Sequence, residues 1–278
     1  MSPDNAGNVC KMGLIFGIAS AVPLFLVFFG TRERPYFTQL ERPRLKESLK
    51  AALKNHPFVF SAVIYLFTWT SMAIIGANLL FYIKYVVQRE NMSEVIMATI
   101  FVTAILSLPL WDWVSKKFNK RLAYIYSTAF WAVVQLLLIT VSASSSLFYL
   151  LALCVLAGLG VGAAHVLPWS IIPDAIEVDE LKTGERHEGM FYSLVTLASK
   201  VANSIAVPLA LTVLEISGYI PNAAVQPQST ITGIRMVVGP IPALLLVGGI
   251  IFAILYPLSR DEYRNVVQEL EVRRSQTD

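Results

Sequence analysis

Seven long apolar runs dominate the chain and leave it very few folds to choose from. They fall near residues 12–30, 58–86, 93–112, 122–142, 146–170, 190–214 and 233–257. A helix crossing the hydrocarbon layer of a bilayer, ~30 Å thick, needs about 20 largely apolar residues. Backbone groups in lipid must satisfy their own hydrogen bonds, so runs of this length are helices; membrane strands would be about half as long and would alternate. The sequence therefore predicts an all-α polytopic membrane protein with seven transmembrane helices.

Composition agrees. Apolar residues make up 55% and charged residues 15% of the 278, where a soluble domain carries about 25% charge. The net charge of +3 is divided among short loops and gives no basic surface for nucleic acid, so that partner is excluded. Cys10 and Cys154 lie far apart and read as free thiols rather than a disulfide or metal pair. His56, His165 and His187 have no ligand spacing, and HExxH, GxSxG and Walker glycine patterns are missing. An enzyme is not expected, nor a resident cofactor.

The cations order the chain across the bilayer. Arg32, Arg34, Arg42, Arg44, Lys46, Lys50 and Lys54 separate the first two runs, and Lys116, Lys117, Lys120 and Arg121 separate the third and fourth. These loops are expected to be cytoplasmic, together with Lys182, Arg186 and the C-terminal tail. The other side keeps only Lys11, Lys84, Arg89 and Arg235. The expected organisation is a first transmembrane helix over 1–30, a basic cytoplasmic linker over 31–56 lying on the membrane surface, a six-helix bundle over 57–259 and a cytoplasmic tail over 260–278.

Three stretches depart from plain apolar helix. Gly158, Gly160 and Gly162 bring small residues into one run, with Gly158 and Gly162 in register for close helix packing. Pro168 and Pro173 are expected to end or kink that run, with Trp169 at the interface. Beyond them Asp174, Glu177, Asp179 and Arg186 read either as a solvated loop or as a gate across the cytoplasmic mouth. Asp112, in the turn Trp111 to Arg121, is a further candidate, anchoring a neighbouring helix end.

The third stretch is a stripe. Tyr192, Ser193, Thr196, Ser199, Lys200, Asn203 and Ser204 recur at spacings of three and four, on a helix otherwise built from Leu, Val and Ala. An ammonium near mid-membrane is costly in lipid, so Lys200 is expected to face other helices or a watery cavity, as a functional group. The second run offers a matching set in Tyr65, Thr68, Trp69, Thr70, Asn78 and Tyr82, with Gly76 interrupting it. Aromatic faces and amides suit a sugar-like ligand, stacking on C–H faces and hydrogen-bonding to hydroxyls. Tyr192, Thr196, Lys200, Asn203, Trp69 and Asn78 are the candidate substrate-binding residues.

The turn Leu-Pro-Leu-Trp-Asp-Trp-Val-Ser-Lys-Lys-Phe-Asn-Lys-Arg, the run Leu-Pro-Trp-Ser-Ile-Ile-Pro-Asp-Ala-Ile-Glu-Val-Asp-Glu-Leu-Lys-Thr-Gly and the stretch Phe-Tyr-Ser-Leu-Val-Thr-Leu-Ala-Ser-Lys resemble one family. It is the glycoside-pentoside-hexuronide:cation symporters of the major facilitator superfamily, which include the melibiose permeases and have an animal lysophosphatidylcholine symporter as a relative. The resemblance runs from about Lys11 to Arg260 and implies helices VI to XII of a twelve-helix fold. Lys200 then matches the family's helix XI lysine, near the substrate and cation region. Asn119 stands where many members have Gly.

That resemblance implies sugar or glycoside transport in the plasma membrane by alternating access, coupled to Na⁺ or H⁺. A lysolipid-type symporter is the alternative, and a non-transporting membrane partner or degenerate fragment is another. The family's cation-binding acids lie on first-half helices, and here no Asp or Glu lies deep inside an apolar run. The chain is accordingly expected to be a truncated or split transporter that works with an N-terminal half or a second copy.

Overall fold

The computed structural model describes residues 6–31, 45–184, 187–221, 223 and 225–275. The chain divides into two compact units, Met1–Arg44 and Leu45–Asp278. Among the described residues there is no strand, and seven helical segments are long and apolar enough to cross a membrane, close to the predicted runs. The protein is a multi-pass α-helical membrane protein.

The first unit contains helix α1, Ala6–Gly30, whose apolar side chains are exposed along its length. In lipid that is the stable arrangement, since acyl chains solvate Leu and Phe.

The second unit opens with α2, Leu45–Lys54, inside the stretch expected to be a surface linker. Its Ala52 is fully buried, in a cluster with Phe58, Ile172 and Phe191, so this helix packs into the second unit. Asn55 then starts α3, His56–Phe81. Its Oδ1 accepts from the Phe58 amide at 3.2 Å and its Nδ2 donates to the Ala175 carbonyl at 2.8 Å, all while 4% exposed. Alanine here would orphan a helix-start amide and a buried carbonyl together. We expect Asn55→Ala to lose about 2 kcal/mol of stability, read as a fall in thermal unfolding midpoint in detergent.

Helix α3 runs without a break through Gly76, which was expected to interrupt it, and continues as a wider turn over Tyr82–Val87. Glycine lowers helix propensity but keeps its amide donor, and breaking a helix in lipid would strand several backbone groups. The Tyr82 hydroxyl donates to the Leu138 carbonyl at 2.6 Å and ties this end to the next layer.

Then follow α4, Ser93–Lys117; α5, Lys120–Leu137; α6, Leu147–Thr183; α7, Glu188–Ile216; α8, Gln228–Val238; α9, Pro240–Ile254; and α10, Arg260–Ser275. Glycines set the spacing of the central helices. A Cβ on Gly158 would lie 2.6 Å from the Ile100 carbonyl oxygen, and one on Gly162 would lie 1.9 Å from Ser107 Oγ, so both press α6 against α4. Gly160, two residues from each, turns toward α5, where its Cβ would strike the Trp131 ring at 2.2 Å. Thr68 Oγ1 and the Tyr124 hydroxyl, 2.8 Å apart, add a buried polar contact between α3 and α5.

Helix α6 does not end at its prolines. Pro168 and Pro173 both lie inside a 37-residue helix that stops only at Gly184, in the left-handed region at φ 74°. Each proline deletes one amide donor, whereas ending the helix would expose several groups; Ala164, Leu167, Ile171, Ile172 and Ala175 are buried around them and hold it on course. The carboxylates Asp174, Glu177 and Asp179 therefore ride on a helix, which corrects the loop reading.

Candidate functional site

Two polar constellations are built on this frame. The first is aromatic. Tyr65 and Trp69, one turn apart on α3, stack with centroids 5.5 Å apart. Trp169 of α6 meets the Tyr65 ring edge-on at 5.0 Å and stacks on Tyr192 of α7 at 5.9 Å. His165, a turn before Trp169, meets Trp69 edge-on at 5.6 Å. Three helices thus present five rings in one continuous array. Ser199 of α7 lies close to the Tyr65 hydroxyl.

The stripe on α7 is divided by packing. Phe191, Val195, Ser199, Ala206 and Ala210 form the buried face. Tyr192 and Asn203 are half-buried, while Ser193, Thr196, Lys200 and Ser204 are exposed. Lys200 makes no ion pair among the described residues. The Asn203 Oδ1 is shielded from solvent and has no hydrogen-bond partner among them. Of the six predicted substrate residues, Trp69 and Tyr192 join the aromatic array, and Thr196, Lys200 and Asn203 share the helix that carries Tyr192. Asn78 does not join them. It is fully buried, its Nδ2 donates to the Ile74 carbonyl at 2.9 Å, and it stands nine residues from Trp69, half a helical revolution away.

The second constellation gathers around the end of α6. Asp174, 7% exposed, accepts from Lys120 Nζ of α5 at 2.5 Å. Asp179 Oδ2, also buried, lies 2.9 Å from His187 Nδ1. Tyr263 of α10 lies close to both Glu177 and Asp174. Burial first, and then these two acids, push its hydroxyl above the usual phenol range, so it remains a protonated donor. Arg273 Nη1 donates to the Leu181 carbonyl at 2.8 Å. The end of α6 is thereby tied to α5, α10 and the start of α7.

Of the predicted gate residues, Asp174, Glu177 and Asp179 meet here. Asp112 does not anchor a neighbouring helix: it pairs with Lys116 at 2.7 Å, one turn on in α4, and both are exposed. Arg186 lies outside the described residues. The reading from sequence missed Lys120, His187 and Tyr263 as partners, and no spacing rule would have found them. It also placed Trp169 at the interface and found no ligand spacing for His165; their four-residue interval, repeated in Tyr65 and Trp69, was the available signal.

Comparison with known proteins gives this arrangement its kinship. Residues 2–260 match the family described as MFS/sugar transport protein. An uncharacterized symporter of Synechocystis is 34% identical over 239 residues, 84% of this chain and 43% of that protein. The sodium-dependent lysophosphatidylcholine symporter 1-A of Danio rerio is 30% identical over 274 residues, 96% of this chain and 50% of its own. The glucuronide carrier protein homolog of Escherichia coli is 28% identical over 262 residues, 94% of this chain and 57% of its own. The chain spans about half the length of the curated relatives it matches. Helix content, span number and the match along nearly the whole chain agree, and the chain belongs to the MFS/sugar transport family.

Proposed function

We propose that this chain is the C-terminal part of an alternating-access symporter for a small solute, a sugar or glycoside, driven by Na⁺ or H⁺. The observation that carries the reading is the meeting of five aromatic rings with the polar face of α7. Rings stack on the C–H faces of a sugar, and the exposed Thr196 and Lys200, four and eight residues beyond Tyr192 on α7, carry a hydroxyl and an ammonium that can bond to its hydroxyls. Facing lipid, that ammonium would cost about 3 kcal/mol; facing a second helix bundle across a watery cavity, it would not. An N-terminal half, or a second copy, supplies that bundle and the carboxylate that binds the coupling cation. The end of α6 forms the gate on the cytoplasmic side.

Uptake into proteoliposomes containing the chain together with an N-terminal bundle, under an inward Na⁺ or H⁺ gradient, tests this reading. Labelled glycoside should accumulate, and Lys200→Gln should cut uptake at least tenfold while membrane insertion is unchanged. Unaltered uptake by the variant would remove Lys200 from the site. The Danio rerio relative's name keeps a lysolipid substrate in view. Accumulation of labelled lysophosphatidylcholine in place of glycoside would favour it.

A further inference from the structure

A cavity of about 180 Å³ opens where the ends of α4, α5, α6 and α9 meet the start of α10. Its walls include Lys116, Lys120, Arg121 and Arg260, against one carboxylate, Asp174. Asp174 is already neutralised by Lys120, and Asp112 by geometry answers only Lys116. Arg121 donates to the carbonyls of Ile254 and Tyr256, which uses two of its five N–H groups. Arg260 stands exposed at the first residue of α10.

Arg121 and Arg260 have no carboxylate partner among the described residues, whereas Lys116 and Lys120 are paired. Lys120 and Arg121 open α5, whose first turn holds no acid, and Arg260 opens α10, where Asp261 and Glu262 offset part of the positive charge, about half a unit, that the backbone presents at a helix start. Both helix starts line the same cavity. A separate feature points to a ligand: Tyr256 lines the cavity, is 6% exposed, and its hydroxyl has no partner among the described residues. Burial and the Asp174 charge push that hydroxyl above the ordinary phenol range, so it is a donor with nothing to donate to.

The rim indicates where the missing acceptor comes from. Phe118 lines the cavity and is exposed, and in the last turns of α4 Lys117 lies 4.7 Å over the exposed Trp113 ring, the aromatic and cationic pairing typical of headgroup depth.

We infer that this cavity binds a phosphate-bearing anion, presented at the bilayer surface as a phospholipid headgroup, through the Tyr256 hydroxyl, Arg121 and Arg260. The site joins the start of α5, the residues after α9 and the start of α10, and is independent of the solute carried.

Native mass spectrometry of the full chain, titrated with phosphatidylglycerol, with diacylglycerol, or with inorganic phosphate, tests the assignment. Phosphatidylglycerol should bind at least tenfold more tightly than diacylglycerol, a difference of about 1.4 kcal/mol. The Tyr256→Phe/Arg260→Gln pair should abolish that preference. Arg260→Gln alone, at an exposed position, should weaken it with an unchanged unfolding midpoint, which separates lost binding from lost folding. If inorganic phosphate shows the same dependence on Tyr256 and Arg260, the site stands and its source is a soluble anion. Equal binding of phosphatidylglycerol and diacylglycerol, or equal binding of both phosphate-bearing probes to wild type and double variant, would overturn it.

Discussion

Gly162→Val is expected to lower stability by about 4 kcal/mol, among the largest single losses available in this bundle. The first added carbon alone would sit 1.9 Å from Ser107 Oγ and 2.8 Å from the Ala104 carbonyl oxygen. Ser107 can change rotamer, but the Ala104 carbonyl belongs to the α4 backbone and cannot move without pushing two helices apart. Separation would also open Gly158, whose own approach to the Ile100 carbonyl depends on the same spacing. Close packing between small residues is what holds helices together in lipid, where no hydrophobic drive remains to compensate. Gly76→Ala is the matched control. Nothing lies within 4 Å of its added Cβ, and alanine is the better helix former, so that variant should be neutral or more stable by up to about 1 kcal/mol. Denaturant titration in detergent, followed by circular dichroism, reads both; equal stability for Gly162→Val and wild type would remove the glycine contact from the account.

The second large effect concerns the Lys120 and Asp174 pair. Removing Lys120 as Met leaves a carboxylate that is 7% exposed facing the Tyr256 and Tyr263 rings without its cation. Breaking a buried pair from one side costs about 3–5 kcal/mol, and the lower end applies because the Lys120 side chain is 33% exposed. The double variant Lys120→Met/Asp174→Leu should recover most of the loss, since replacing both charges by apolar groups removes the stranded anion. A double variant as unstable as Lys120→Met alone would show that the charge pair is not what holds α5 to α6.

Much of this fold was readable from one dimension. Span number and approximate limits followed from apolar length, because lipid allows a backbone only one economical way to satisfy itself over about 20 residues. The paired glycines of α6 were legible as a contact through their four-residue register, and the aromatic candidates were legible as Tyr192 in the α7 stripe and Trp69 in the matching set of α3. Two local rules failed. Pro168 and Pro173, expected to end or kink α6, did not end it, and Gly76 did not interrupt α3, because both rules describe chains with water available to the backbone. Asp112, plausible as an anchor by position alone, turned to the lysine one turn away.

By itself the sequence determined that the chain is helical, that it crosses a membrane several times, and which family its motifs resemble. These are properties of composition and short-range pattern, decided residue by residue against lipid. Only the tertiary structure decided who meets whom: Lys120 with Asp174 across 54 positions, Asn55 with Ala175 across 120, and Tyr65 with Trp169 between α3 and α6. The physical reason is that a helix's polar face specifies a need for a partner without naming one. Which side chain answers it depends on helix crossing and depth, and these are set by glycines and large rings packed together far along the chain.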